Sequence, residues 1–407
     1  MKSIGTVFKV GNGPSSSHSV GPYSAAKFMR KYYPDCDERK VYLRGSLGLT
    51  GKGHGTDRSI KTILPDIEVI FDMDTPESEL PHPNTMDFYG YKDGKEVHHV
   101  RIMSIGGGQL SIEDHPNKEA IEVYPQKSFA EIYDYCQEHY LNLAQFVFEH
   151  EDEDINYKLH SRWRTMQAAV EEGLQQKGVL PGGLELERKA RHLFNNVSHN
   201  ESSETAMARL VSAYAFAVAE QNASEEVVVT APTCGSCGVL PAVLYYAKHN
   251  KGFTDDEICE GLAVAGLIGN LIRTNASVSG AECGCQAEIG SACTMAAAAL
   301  AHMEGLPLDQ IEYAAVVALQ HFLGLTCDPV NGLVQIPCIE RNAVAALRAI
   351  NSVNLARFLH ATRRISLDNV IETMYQTGLD MKEQYKETSN GGLANLYKID
   401  ISDVSRE

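Results

Sequence analysis

Over the first 125 residues apolar positions recur in short β-rich runs: Val41-Tyr42-Leu43, Ile67-Glu68-Val69-Ile70-Phe71 and Val100-Arg101-Ile102. Runs of this length and composition predict strands, and Asp93-Gly94 between two of them predicts a hairpin turn. A helix is expected over Val20 to Lys31. Gly106-Gly107-Gly108 and the polar stretch through Asp114-His115-Pro116 predict an exit from this region, with Ile121-Glu122-Val123 as one more strand before Pro125. Beyond that point the period becomes helical. Ser128 and Glu131 have capping-box spacing, and Ile132, Cys136, Tyr140, Leu143 and Val147 follow at helical intervals. Thr254 and Glu257 repeat the box before a run to Arg273. Ala292 to His302 and Ile311 to Phe322 are apolar all round, which predicts buried helices, and Pro181-Gly182-Gly183 marks a loop. The expected fold is an α+β N-terminal domain, residues 1–125, joined to an all-α C-terminal domain, residues 126–407.

Composition narrows the function classes. The 407 residues carry a formal charge of −17, from 36 Lys and Arg against 53 Asp and Glu. Such a surface repels phosphate backbones and anionic lipid, no basic stripe is evident, and Arg363-Arg364 forms only a short pair that reads as a solvated helix face, so neither nucleic acid nor membrane is expected as a partner. The apolar stretches are far shorter than the ~20 residues that span a bilayer, and Met1 to Val10 has no signal-peptide core, so a cytoplasmic location is expected. Ten cysteines in a reducing compartment are expected as thiols. Eight of them fall between Cys234 and Cys338, a clustering that points to metal or redox chemistry, although buried cysteine is also a common core residue.

Several motifs invite a chemical reading. Gly11-Asn12-Gly13 lacks the third glycine and the preceding strand of a dinucleotide fold, and Gly51-Lys52-Gly53 lacks the first glycine and final hydroxyl of a phosphate loop. Gly13-Pro14-Ser15-Ser16-Ser17-His18 places hydroxyls and an imidazole before a helix, which suits a carboxylate ligand or simply caps the helix. Gly51-Lys52-Gly53-His54-Gly55-Thr56-Asp57 flanks a histidine with glycines, open to close approach or a plain turn. Cys283, Cys285, Cys293, Cys327 and Cys338 lack the paired spacing of a zinc ribbon. Cys234 and Cys237 are half a metal site, a redox pair, or packing.

Taken together and in order, these motifs resemble the iron–sulfur L-serine dehydratases over nearly the whole chain. The N-terminal part is similar to the family's small domain through Gly13 to Pro22, Gly51 to Asp57 and Ser104 to Gly108. The C-terminal part resembles its catalytic domain through Leu180 to Leu184, Thr230 to Thr233, Gly284 to Cys293 and Cys327 to Asn342. The resemblance implies elimination of water from L-serine, giving pyruvate and ammonia, by a homodimer that degrades amino acids. It also implies a [4Fe–4S] cluster held by Cys285, Cys327 and Cys338, with Cys283 and Cys293 as flanking packing residues or nearby thiols. Some relatives end in a cysteine that caps the open iron; this chain ends Asp403-Val404-Ser405-Arg406-Glu407, so such self-inhibition is not expected.

Three protein thiolates on a four-iron cluster leave one iron open, which suits a Lewis acid better than an electron carrier. His54 or His18 is then the expected base or orienting group, with Ser16 and Ser17 on the substrate carboxylate. Thr233, Ser236 and Arg341 are expected to complete the pocket, Arg341 as a carboxylate clamp or a structural ion pair. No lysine has the phosphate-binding context of a pyridoxal-phosphate enzyme. The alternatives are a related β-elimination on threonine or cysteine, an iron–sulfur metabolite or redox sensor, and zinc in place of the cluster.

Overall fold

The computed structural model describes residues 1–113, 122–359 and 364–396. The Asp114-His115-Pro116 stretch, Ile121, Arg363 and the chain's last five residues lie outside the described residues.

The N-terminal unit is built on a five-stranded sheet of order β3-β2-β4-β5-β6, comprising β2 (Glu38–Gly45), β3 (Glu68–Phe71), β4 (Asn84–Lys92), β5 (Lys95–Ser104) and β6 (Leu110–Ile112). β2 and β3 run parallel and the other pairs antiparallel. Alternation of side chains along the paired strands decides which face is buried. Register pairs Val41 with Phe88 and Phe88 with Val100, then Leu43 with Met86 and Met86 with Ile102. These six side chains form one apolar face, closed by Ala25, Ala26 and Met29 from the helix Gly21–Tyr32. On the opposite face the buried Asp87 accepts hydrogen bonds from Arg44 Nε and Arg101 Nε, each at 2.7 Å. The expected hairpin turn at Asp93-Gly94 joins β4 to β5, both residues having positive φ.

Three details depart from the sequence reading. Gly106-Gly107-Gly108 does not leave the domain; it turns β5 back into β6. Glu122 and Val123 are not in a strand. The helical pattern Ile132 to Val147 is two helices, Phe129–His139 and Leu143–His150. Tyr140 takes a left-handed conformation, and Asn142 opens a new capping box with Gln145 that periodicity alone does not reveal.

The C-terminal unit is helical, as expected, apart from β7 (Val227–Val229), which pairs with β1 (Val10–Asn12). Its centre is the alanine-rich helix Ser291–Met303, buried from Ser291 to Ala301. Small side chains let four helices pack against it: Val239–Tyr246, Asp255–Asn275, Leu308–Gln320 and Cys338–Leu359. Both predicted capping boxes are present, Ser128 with Glu131 and Thr254 with Glu257. Met1, Ile4, Val7 and Phe8 pack into this helical core. The chain thus starts in one core, builds the other, and returns. Among the described residues no helix is long and apolar enough to cross a membrane.

The Thr254→Ala substitution removes the acceptor for Glu257 N–H at the start of Asp255–Asn275. It should lower stability by about 1 kcal/mol in urea denaturation and leave any catalytic rate unchanged.

Candidate active site

The two histidine motifs of the small domain are assembled by exchanging hydroxyls. Ser15 caps the turn Ser16–Val20, its Oγ accepting from His18 N at 3.2 Å, and the turn runs into Gly21–Tyr32. Thr56 Oγ1 donates to the His18 carbonyl at 2.6 Å, and Ser19 Oγ to that of His54 at 2.9 Å. Each motif therefore satisfies the other's backbone. The imidazoles end up with centroids 4.4 Å apart and are both buried.

Their hydrogen bonds distinguish the rings. His54 Nδ1 lies 3.0 Å from the Thr50 carbonyl, which can only accept, so Nδ1 carries the hydrogen and Nε2 is a bare lone pair. That Nε2 is buried without a partner. For His18 the assignment reverses. Thr50 Oγ1 donates to Ser46 O and Ser46 Oγ donates to Glu387 O, so both hydroxyls are acceptors for His18 Nε2–H, at 3.0 and 3.1 Å. His18 Nδ1 then accepts from Ser17 Oγ at 2.8 Å. Burial lowers both pKa values, that of His18 well below the usual imidazole range and that of His54 to about 4.

Across the seam lie the thiols. Cys285, Cys327 and Cys338 are all buried, and ligand atoms of Cys285, Glu288 and Cys327 lie within 4.8 Å of one another. Gln286 fastens the first thiol's segment to the second's: its N donates to Leu325 O at 3.2 Å, and its Oε1 accepts from Gly324 N at 2.9 Å. Asn342, one turn beyond Cys338, accepts from Gly238 N and donates to Gly235 O, drawing the Cys234–Gly238 loop alongside. A hydrogen bond from Cys327, aided by the Arg341 charge, holds the Cys285 thiol well below its usual range. Cys327 is pushed up by donating that bond and by burial; burial likewise raises Cys338. Glu288 is raised by burial and by Cys285, and accepts from Thr233 Oγ1 at 2.8 Å. Thr233 in turn lies 3.1 Å from Ser236 Oγ. Gly280 permits this crowding, because a Cβ there would lie 2.6 Å from Glu288 Oε2 and 3.1 Å from Cys327 Sγ. Arg341 spends Nη1 on Thr326 O (2.6 Å) and Nη2 on Asp328 Oδ1 (3.0 Å), with its charge toward Cys285 and Cys338.

The donor set within 4.8 Å is Cys285, Glu288 and Cys327, and Cys338 adjoins it through the shared Arg341 charge; buried thiols in such a setting are compatible with a metal cluster. The other cysteines fit packing. Cys283 abuts Gly378, whose Cβ position is 2.7 Å from its Sγ, and Cys293 lies inside the central helix; burial raises both. Cys234 and Cys237 are buried and raised in the same way.

The domains meet by backbone contact. A Cβ at Gly53 would lie 2.7 Å from Asn331 O, so the His54 loop rests on the Cys327–Cys338 loop only because residue 53 is glycine. A C-terminal strap closes the seam. Cys327 N donates to Tyr385 O and Glu387 N to Cys327 O, both at 2.8 Å, while Ser389 Oγ donates to Pro329 O at 2.7 Å. The strap presents Glu387, whose Oε1 is 3.6 Å from His18 Nδ1 and 3.7 Å from His54 Nε2. Sequence reasoning named neither Glu387 nor Glu288. Glu288 sits inside a quoted motif, but Glu387 had no signal beyond a polar stretch before Gly391-Gly392.

The combination of two neutral imidazoles, a shared carboxylate and a thiol set at a domain seam is suited to proton abstraction with leaving-group activation, the work of a lyase. The chain matches the family models described as serine dehydratase alpha chain, over residues 75–394, and serine dehydratase beta chain, over residues 3–65. It is 41% identical to L-serine dehydratase 1 of Escherichia coli (strain K12), across 98% of this chain and 100% of the relative. It is 40% identical to L-serine dehydratase 2 of the same organism, across 97% and 98%. Identity to the L-serine dehydratase of Helicobacter pylori is 37%, across 97% and 99%. The chain belongs to the serine dehydratase family.

Because the folded pKa of His54 lies below its unfolded value, acid favours the unfolded state. The contribution is complete above about pH 6.5 and is lost as pH falls toward about 4. Denaturation at pH 7 and pH 5 should show a loss of about 2 kcal/mol from this residue, and His54→Gln should reduce the acid sensitivity by that amount.

Proposed function

We propose that this protein is an L-serine dehydratase that eliminates water from L-serine and yields pyruvate and ammonia, with a [4Fe–4S] cluster on Cys285, Cys327 and Cys338. The observation that carries the reading is the buried, unpartnered Nε2 lone pair of His54 at the seam that also holds the thiols. Family membership and nearly full-length similarity to L-serine dehydratases support the substrate. When bound, such a cluster supplies a Lewis acid for departure of the β-hydroxyl.

The chain's own residues supply the rest. His54 Nε2 accepts the α-proton, its ring fixed by Nδ1–H on the Thr50 carbonyl. His18 is held in the opposite tautomer by Ser17, Ser46 and Thr50, so it orients and crowds His54. Ser16 and Ser17 lie in the first turn of their helix, where backbone N–H groups lack intrahelical acceptors and suit the substrate carboxylate. Thr233 and Ser236 line the Glu288 side of the pocket. Arg341 serves the thiolates, since two of its donors are already engaged. Hydrolysis of the enamine product after tautomerisation needs only water. We assign the enzyme to the cytoplasm and to a homodimer. Val344 and Phe358, 61% and 78% exposed and two heptads apart on Cys338–Leu359, offer an apolar face for a second copy.

Anaerobic reconstitution should give broad absorption near ~400 nm and pyruvate from L-serine in preference to L-threonine or L-cysteine. Replacing Cys285, Cys327 or Cys338 by alanine should abolish both signals, and Cys36→Ala should spare them. A colourless chain after reconstitution, or a fully active Cys285→Ala variant, would overturn the ligand assignment. His54→Gln should keep the colour and lower kcat by about 10²–10⁴-fold. Retention of wild-type kcat would exclude His54 as the base.

A further inference from the structure

We propose that Glu387 is the residue that binds the substrate ammonium, so that the site distinguishes an α-amino acid from the same acid without its amine. This rests on the reading of the chain as a serine-eliminating lyase with His54 as base.

Glu387 is held where the two domains meet by contacts to each of them. Its backbone N–H donates to Cys327 O, in the helical domain, and its carbonyl accepts from Ser46 Oγ, in the small domain, both at 2.8 Å. Its φ of 59° is left-handed, a conformation unusual for a glutamate and maintained here by contacts on both sides. The strap therefore fixes one carboxylate at the seam, and that carboxylate is short of donors. Oε1 faces His18 Nδ1 and His54 Nε2 at 3.6 and 3.7 Å. The hydrogen bonds of the two rings make both nitrogens acceptors, so neither supplies a proton to Glu387. Oε2 is buried with no partner, as is His54 Nε2. The backbone N–H of Ala281 is directed at the carboxyl, while burial and the neighbouring Glu288 and Cys285 push the Glu387 carboxyl up, so that a cation is what its charged form lacks.

Buried acceptors without donors are costly, and these lie beside the proposed base. An ammonium brings three N–H donors and a positive charge, which answers both deficits. The chemistry fits as well. The ammonium nitrogen is bonded to the carbon that loses its proton, so the group that binds the nitrogen must lie beside the group that takes the proton. Glu387 and His54 Nε2 stand in that relation.

The test uses the cluster-loaded enzyme and two competitive inhibitors that carry no leaving group, L-alanine and propanoate, which differ by the amine alone. The wild type should bind L-alanine about 10–100-fold more tightly than propanoate. Glu387→Gln should bring that ratio close to one and raise KM for L-serine about tenfold, with kcat and the ~400 nm absorption much less affected. Glu387→Asp, which keeps the charge, should retain part of the discrimination. An unaltered inhibitor ratio in Glu387→Gln would overturn the proposal. A ratio near one in the wild type would do the same without any variant, so a Glu387→Gln chain that failed to fold would not protect it. If the wild type prefers L-alanine but releases no pyruvate, the serine-dehydratase reading fails and the ammonium subsite stands. Pyruvate formation without discrimination removes the subsite alone.

Discussion

The close approach of two backbones, the Gly51–Asp57 loop on one side and the Cys327–Cys338 loop on the other, is the constraint on which the site depends. At Gly53 the separation leaves no room for a Cβ beside Asn331 O. Contact this tight excludes water, and everything buried behind it must find its partners within the protein. The hydroxyls of Ser15, Ser17, Ser19, Ser46, Thr50 and Thr56 supply most of them, and with the Thr50 carbonyl on His54 Nδ1 the two imidazoles take opposite tautomers. His54 Nε2 and Glu387 Oε2 are left unmatched at this seam, which is where the proposed substrate ammonium and α-proton would be met.

The helical domain provides the rigidity this arrangement requires. Its central helix is mostly alanine over the buried span, so neighbouring helices come close and leave little freedom for the residues at their ends. Cys338 begins one of those neighbours, and Cys285 enters the turn that becomes the central helix. Cys285 and Cys338 are thus carried at element termini on a closely packed scaffold, and Cys327 on the loop between them. Crowding of Cys285, Glu288 and Cys327 then sets their protonation, with burial raising the acid and the Cys327 hydrogen bond and Arg341 favouring the Cys285 thiolate.

Much of the scaffold was legible from local pattern. Short β-rich runs marked three strands of the sheet, Asp93-Gly94 marked its hairpin, and two capping boxes marked true helix starts. Local pattern failed where a competing local interaction was stronger. Tyr140 and Asn142 break a stretch that periodicity joins, and the glycine triplet turns β5 into β6 instead of releasing the chain. The thiol and histidine motifs stood out as residue types, whereas Glu387 did not, because an acidic residue in a polar stretch looks like any solvated surface position.

The sequence by itself determined which segments alternate, which repeat with helical period, and which residues carry chemistry, because these are properties of neighbours along the chain. Only the tertiary structure decided that Met1 to Phe8 belong to the helical core and that a strap around residue 387 closes the seam. It alone also decided which of two histidines keeps a free lone pair. Those outcomes depend on burial and on donors and acceptors hundreds of residues apart, and no local periodicity encodes them.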